Sequence, residues 1–264
     1  MIDRRQFILG SVLALASGAA RASEQSPLTV NYGPADLDIY QTGGRGPKPV
    51  IFYVHGGAWQ IGSRKKMGAK PAFFASLGYV LVSIDYRLFP FVKPGKQAQD
   101  VADAYTWVRE NIAKFGGDPS RIVALGHSAG THLLALATLS GRMPGLKGLN
   151  CNDIFMYDIA KFADLRGGRL PLDFTLVFNK ASWSALSPLT YLGQAPVPPV
   201  LVAYSGLKYS KEMSLDFAQK LKAAGVRVST FDGLDYRHLQ IDREIGKPDS
   251  KITDAVTRFL AGTA

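Results

Sequence analysis

Short apolar segments that are typical of buried strands alternate along the chain with segments whose apolar residues recur at helical spacing. The strand-like segments 50–54 and 79–84 are almost continuously apolar. The segment 98–115 carries Val101 and Tyr105 on one face, as an amphipathic helix does. Strands that are buried on both faces and joined through helices predict a mostly parallel, doubly wound α/β sheet.

The alternation continues through most of the chain and is interrupted once. Further strands are expected at 36–40, 122–125, 146–155, 199–204 and 226–231, and further helices at 71–77, 129–139, 213–224 and 252–260. Between Asp158 and Trp183 the pattern gives way to glycine, arginine, proline and isolated aromatic residues. We expect 158–183 to be a small cap insertion over the carboxyl edge of the sheet, where open α/β sheets bind their ligands.

The first 22 residues have the features of an export signal. A twin-arginine pair, Arg4-Arg5, precedes an apolar run, and Ala20-Arg21-Ala22 forms a small-x-small cleavage site. The apolar run is about fourteen residues long, against the roughly twenty that a membrane-spanning helix needs. The sequence therefore predicts a Tat-type signal at 1–22, with the Tat machinery as partner, and a single domain at 23–264. We expect a periplasmic or secreted bacterial protein with no stable membrane insertion after cleavage.

Composition argues against several other classes of protein. The single cysteine, Cys151, excludes a disulfide framework and a cysteine-rich zinc site, and four histidines are too few for a histidine-rich metal centre. The formal net charge is +10, but the basic residues are scattered, and the longest basic cluster is Arg64-Lys65-Lys66. No nucleic-acid-binding motif accompanies it. We therefore expect no metal, no organic cofactor and no nucleic-acid partner.

The segment Gly126-His127-Ser128-Ala129-Gly130 fits the pattern G-x-S-x-G and lies between an expected strand and an expected helix. Its glycines permit a sharp turn that exposes the Ser128 hydroxyl. The helix that follows points its positive end at developing negative charge. This context predicts that Ser128 is a nucleophile.

A second motif, His55-Gly56-Gly57-Ala58-Trp59, directly follows the strand 50–54. Small residues at this position let backbone amides approach a substrate oxygen, so the amides of Gly57, Ala58 and Ala129 are the predicted oxyanion donors. We expect His55 to brace this loop. Trp59 is predicted to contact substrate because it adjoins the oxyanion donors.

Together with three further segments, the two motifs resemble the esterase and formamidase branch of the α/β-hydrolases, near the hormone-sensitive-lipase-like enzymes. The further segments are Asp85-Tyr86-Arg87-Leu88, Phe115-Gly116-Gly117-Asp118-Pro119 and Ser187-Pro188-Leu189. The resemblance covers nearly all of the predicted mature chain. It implies a serine nucleophile, a histidine base late in the chain and an acid between them, and it does not fix the substrate.

The base is found by elimination among the four histidines. His55 belongs to the oxyanion loop, His127 precedes the nucleophile, and His132 lies on an apolar helix among leucines. His238 remains, and it follows the last expected strand. This placement keeps the chain order serine, acid, histidine.

The acid departs from the pattern of the related enzymes. After the strand 199–204 those enzymes resemble Gly-x-Asp or Gly-x-Glu, whereas this chain reads Gly206-Leu207-Lys208. Glu212, one helical turn later, is the predicted acid, and Asp158, just past the preceding strand, is the alternative. A Ser-His dyad without an acid is a third arrangement, and Asp153 and Asp235 are the carboxylates that remain if these assignments fail.

These residues predict a carboxylic-ester hydrolase that acts on a small-molecule ester through an acyl-Ser128 intermediate. Hydrolysis of an aryl formamide or another amide by the same residues is the near alternative. Lys208, in place of the expected acid, leaves open a catalytically weak relative that binds a ligand or partner.

Overall fold

A computed structural model describes residues 26–263, so the predicted signal at 1–22 lies outside the described residues. Eight strands form one sheet in the order β1-β2-β4-β3-β5-β6-β7-β8. The strands are β1 (Leu28–Asn31), β2 (Asp36–Tyr40), β3 (Lys48–Val54), β4 (Val80–Ile84), β5 (Gly117–His127), β6 (Gly148–Asn152), β7 (Val200–Ser205) and β8 (Val228–Gly233). The helices are α1 (Lys70–Ser76), α2 (Pro94–Asn111), α3 (Ala129–Leu139), α4 (Ile159–Asp164), α5 (Leu172–Val177), α6 (Trp183–Leu186), α7 (Ser210–Ala223), α8 (His238–Arg243) and α9 (Lys251–Ala261).

The sheet is parallel from β4 through β8, while β1 and β2 extend it in antiparallel fashion. Apolar side chains cover both faces: α2, α3 and α7 pack on one face, and α1, α8 and α9 pack on the other. This confirms the predicted mostly parallel, doubly wound α/β sheet. The parallel arrangement brings the carboxyl ends of β3, β5, β6 and β7 to the same edge.

The structure differs from the expected elements at the ends of the strands. β5 begins at Gly117 rather than 122, and β6 ends at Asn152 rather than 155. Asp153 has a φ of +55°, which takes the backbone out of the extended conformation and ends β6. The short helix α8 was not predicted, and its first residue is His238.

The segment predicted as a cap lies between β6 and β7 and contains α4, α5 and a 3₁₀ turn at Lys180–Ser182. Its rings pack onto the loop after β3, where Phe174 and Phe178 meet Trp59 edge-on at centroid distances of 5.3 and 4.7 Å. Within residues 26–263, no helix has the length and apolar character needed to cross a membrane.

Candidate active site

Ser128 occupies a strained turn between β5 and α3. Its φ of +54° and ψ of −123° are sparsely populated for a residue with a side chain, and its amide donates to the Asn152 carbonyl at 3.0 Å. Gly130 allows α3 to start directly against the end of β3, because a Cβ there would lie 2.2 Å from the Val54 carbonyl oxygen. The turn therefore holds Ser128 next to the loop that follows β3.

Three side chains from separate segments are joined by hydrogen bonds at this edge of the sheet. His238 Nε2 lies 2.9 Å from Ser128 Oγ, and His238 Nδ1 lies 2.6 Å from Asp153 Oδ2. An ionised carboxylate can only accept, so Nδ1 carries the proton and Nε2 is left to accept from the serine hydroxyl. This is the geometry in which a histidine acts as general base toward a serine.

Asp153 is fully buried and is surrounded by donors. Its carboxylate accepts from the Ser205 amide at 2.8 Å, the Ser205 hydroxyl at 2.5 Å, the Ser210 hydroxyl and the His238 ring. Burial alone raises the pKa of Asp153, but the bonds from His238, Ser205 and Ser210 outweigh it and hold the pKa below its ordinary value. The group is therefore an anion at neutral pH.

This position of Asp153 corrects the predicted acid. Glu212 is exposed in the first turn of α7, and Asp158 accepts from the Lys161 amide at the start of α4. The sequence pattern predicts a strand through 155, whereas β6 ends at Asn152. The pattern therefore does not show that Asp153 directly follows β6, at the same sheet edge as Ser128. That position, together with the chain order, is the signal that could have found it.

Lys208, which stands where the carboxylate was expected, is exposed, and its Nζ lies 5.0 Å from the centroid of the Tyr209 ring. Since Asp153 supplies the carboxylate that contacts His238, Lys208 has not removed the acid from the site. The reason for considering a catalytically weak binding protein is thereby lost.

The predicted oxyanion donors lie beside the serine. Gly57 and Ala58 have φ values of +132° and +51°, and the turn closes through bonds from the amides of Gln60 and Ile61 to the Gly57 carbonyl. Within residues 26–263, the amides of Gly57, Ala58 and Ala129 donate to no protein acceptor. Free donors at the start of a helix and in a fixed loop are suited to stabilise a developing oxyanion.

The side chain of Trp59, the last residue of this motif, is buried and only 1% exposed. Its indole N–H donates to His132 Nδ1 at 3.1 Å, and His132 Nε2 donates to the Leu186 carbonyl at 2.8 Å. Burial lowers the pKa of His132 to about 4, which keeps the ring neutral and fits this pattern of one donor and one acceptor. The structure therefore corrects the predicted substrate contact of Trp59, because the ring is used in packing the loop.

His55 braces the oxyanion loop from the other side. Its Nδ1 lies 2.7 Å from the Gly56 carbonyl, and its ring stacks on Tyr86 at a centroid distance of 4.6 Å. Asp85, 3.5 Å from His55 Nε2, accepts from the amide and guanidinium of Arg64. These contacts fix the loop. Among the hydrogen bonds of residues 26–263, none joins the His55 side chain to Ser128.

His127, Asp153 and His238 place potential metal-ligand atoms within 4.8 Å of one another. Two of those atoms, His238 Nδ1 and Asp153 Oδ2, already share a hydrogen bond, and His127 Nε2 donates to the His238 carbonyl at 2.8 Å. A cation at this point would have to displace the contacts that orient the histidine.

The fold is a mostly parallel α/β sheet, and its carboxyl edge holds a serine, a histidine and an aspartate joined by hydrogen bonds as in serine hydrolases. Residues 37–165 match the family model BD-FAE. Esterase LipQ from Mycobacterium tuberculosis is 31% identical over 256 residues, which cover 88% of this chain and 61% of LipQ. The isoprenylcysteine alpha-carbonyl methylesterase ICME from Arabidopsis thaliana is 28% identical over 232 residues, which cover 78% of this chain and 54% of ICME.

Among solved structures, the apo form of Thermogutta terrifontis esterase 2 superposes with a TM-score of 0.73 at 23% identity, covering 90% of this chain and 95% of that protein. This likeness concerns the fold. The chain spans about three fifths or less of the length of the two curated relatives named above. These matches support the resemblance to the hormone-sensitive-lipase-like esterase branch of the α/β-hydrolases that the sequence motifs indicate.

Proposed function

We propose that this chain is a serine carboxylic-ester hydrolase that acts through an acyl-Ser128 intermediate. The observation that carries the proposal is the pair of contacts made by His238, at 2.9 Å to the Ser128 hydroxyl and 2.6 Å to the Asp153 carboxylate. Relatives that are named esterases support the choice of an ester as substrate.

In the acylation step, Ser128 Oγ attacks the ester carbonyl carbon and its proton passes to His238 Nε2. Asp153 stabilises the imidazolium, and the amides of Gly57, Ala58 and Ala129 hold the oxyanion. The bond to the alcohol oxygen then breaks, and that oxygen takes the proton from Nε2. Water repeats the sequence on the acyl-enzyme, which releases the carboxylic acid and restores Ser128.

The test is Ser128→Ala, measured on p-nitrophenyl esters of graded acyl length and on an N-formyl aromatic amine. Turnover should fall by about 10⁴-fold or more, and labelling by a fluorophosphonate should disappear, because both require an activated serine. Circular dichroism should be unchanged. Turnover near wild type in the alanine variant would contradict the proposal.

We also propose that the protein is exported by the Tat route to the periplasm or beyond. The support is the Arg4-Arg5 pair followed by an apolar run and the Ala20-Arg21-Ala22 site. Replacing both Arg4 and Arg5 with lysine should leave unprocessed protein in the cytoplasm, while Arg45→Lys, outside the signal, should be exported normally. Continued cleavage after Ala22 and delivery of the double variant would contradict this route.

A further inference from the structure

The helix that carries His238 is held to the rest of the protein by a hydrogen bond in the first turn of that helix. Helix α8 is six residues long and begins at His238. The His238 carbonyl accepts a hydrogen bond of 2.8 Å from His127 Nε2. Burial lowers the pKa of His127, so the ring is neutral, and its one N–H is the one directed at the carbonyl.

One turn further along α8, a buried ionic cluster makes a second attachment. Lys70 Nζ donates to Asp242 Oδ2 at 2.9 Å and to the Asp242 backbone carbonyl at 2.8 Å. The Tyr53 hydroxyl lies 3.1 Å from both carboxylate oxygens of Asp242. Lys70, Tyr53 and Asp242 are 1%, 2% and 8% exposed, so solvent does not substitute for these bonds.

The cluster joins three elements that the site depends on. Tyr53 belongs to β3, whose last residue directly precedes the oxyanion loop, and Lys70 is the first residue of α1. The loop after α8 also lies close to α1, because a Cβ on Gly246 would be 2.8 Å from the Phe73 Cβ. The position of α8 is therefore fixed relative to the strand that presents the oxyanion donors.

A buried ion pair contributes little net stability compared with apolar packing of the same volume. Burial raises the pKa of Asp242, but the charge of Lys70 and the hydrogen bonds from Lys70 and Tyr53 bring it below its ordinary value, so the carboxylate is charged. Directional bonds fix the orientation of a short helix in a way that apolar contacts do not. Their location on the histidine helix indicates a role in geometry.

We propose that Lys70, Tyr53 and Asp242 are positioning residues, which act through α8 to hold His238 at hydrogen-bonding distance from Ser128. The proposal rests on the proposed function, since it assigns these residues to the orientation of the same base.

The experiment replaces the ion pair with apolar residues in Lys70→Met/Asp242→Leu, which leaves no uncompensated charge. The melting temperature should stay close to wild type, while kcat per active site, titrated with a fluorophosphonate, should fall by about tenfold to a hundredfold. KM for a short p-nitrophenyl ester should change little. The single variant Lys70→Arg, which retains both the charge and Asp242, should lose less kcat than the double variant.

The matched control is Lys161→Met/Asp216→Leu, which removes an ion pair of 2.7 Å between α4 and α7. It should leave kcat per titrated site unchanged. A wild-type kcat in a folded Lys70→Met/Asp242→Leu variant would overturn the positioning role.

If that double variant does not fold, Tyr53→Phe tests the same proposal, because it removes only the hydroxyl that contacts Asp242. A reduced kcat in Tyr53→Phe would support the positioning role, and an unchanged kcat would overturn it. Ser128→Ala, measured in parallel, separates the two hypotheses. Residual turnover in Ser128→Ala would contradict the proposed function, whereas an inactive Ser128→Ala beside a normal ion-pair variant would contradict only the positioning role.

Discussion

The oxyanion side and the acid side of the site are built in different ways. Ser128 and the proposed oxyanion donors lie on two short segments, 55–59 and 126–130, where backbone turns do most of the positioning. The acid depends on side chains that are far apart in sequence, since Ser205 and Ser210 lie 52 and 57 positions beyond Asp153. A site fixed by local backbone geometry leaves a compact motif, whereas one fixed by side chains from several strand ends does not.

The acid side also shows how a carboxylate can come from a neighbouring strand. β6 and β7 are adjacent and parallel, and strands in a sheet lie roughly 4.8 Å apart. Asp153 leaves the end of β6 in a left-handed conformation, and its amide donates to Ala203 of β7 at 2.9 Å. The carboxylate thus reaches Ser205 and Ser210, which flank the position after β7 where the acid was expected.

The largest effect is expected from removing the carboxylate itself. Asp153→Asn should lower kcat by about 10⁴-fold, because the amide can hold His238 in the wrong tautomer and cannot stabilise the imidazolium. Glu212→Gln and Asp158→Asn are the matched controls and should keep wild-type kcat/KM. A steep loss in either control with a normal Asp153→Asn would return the acid to the position predicted from sequence.

On the oxyanion side, Gly130→Ala tests whether close backbone contact controls catalysis. The added Cβ would lie 2.2 Å from the Val54 carbonyl oxygen and force the turn away from the oxyanion loop. The loss in kcat should be about 10²- to 10³-fold, as for removal of an oxyanion donor. Gly43→Ala is the control, because nothing lies within 4 Å of its added Cβ. Equal activity of the two variants would argue against this contact.

A smaller effect is expected from Ser210→Ala, which removes one donor to Asp153. The free energy of unfolding should fall by about 1.5–3 kcal/mol at neutral pH, as for a hydrogen bond to a charged group, and kcat by up to about tenfold. The pKa of Asp153 is lowered in the folded protein, so the stability it contributes is present above the ordinary aspartate value and is lost as pH falls through the folded value.

Denaturant unfolding at several pH values checks this sign. The difference between wild type and Ser210→Ala should be largest above the ordinary aspartate pKa of about 3.9 and should shrink as pH falls below it and Asp153 becomes protonated in the folded protein. A difference that grows toward acid pH would contradict the assigned charge of Asp153.

Lys208→Asp should have the smallest effect. Lys208 is exposed and Asp153 already contacts His238, so kcat/KM should stay within about twofold of wild type, as for most surface substitutions. An increase of orders of magnitude would mean that the wild-type site lacks a working acid.

The parallel sheet was predicted from sequence because apolar strands and amphipathic helices record burial directly, as in 50–54 and 98–115. The turn at Ser128 could be predicted because Gly126 and Gly130 mark positions where a side chain would not fit. From sequence, Asp153 was named only as a carboxylate that remains if Glu212 and Asp158 fail, because its role depends on where β6 stops and on contacts with two distant serines. The burial of Trp59 was also missed, because its partners His132, Phe174 and Phe178 come from three other segments.

The central claim is that Ser128, His238 and Asp153 work as one unit, and a double-mutant cycle between His238→Ala and Asp153→Asn tests it most directly. Because Asp153 acts through His238, Asp153→Asn should lower kcat by about 10⁴-fold in the wild-type background and by less than about threefold in the His238→Ala background. An equal loss in both backgrounds would show that Asp153 acts independently of His238 and would contradict the account.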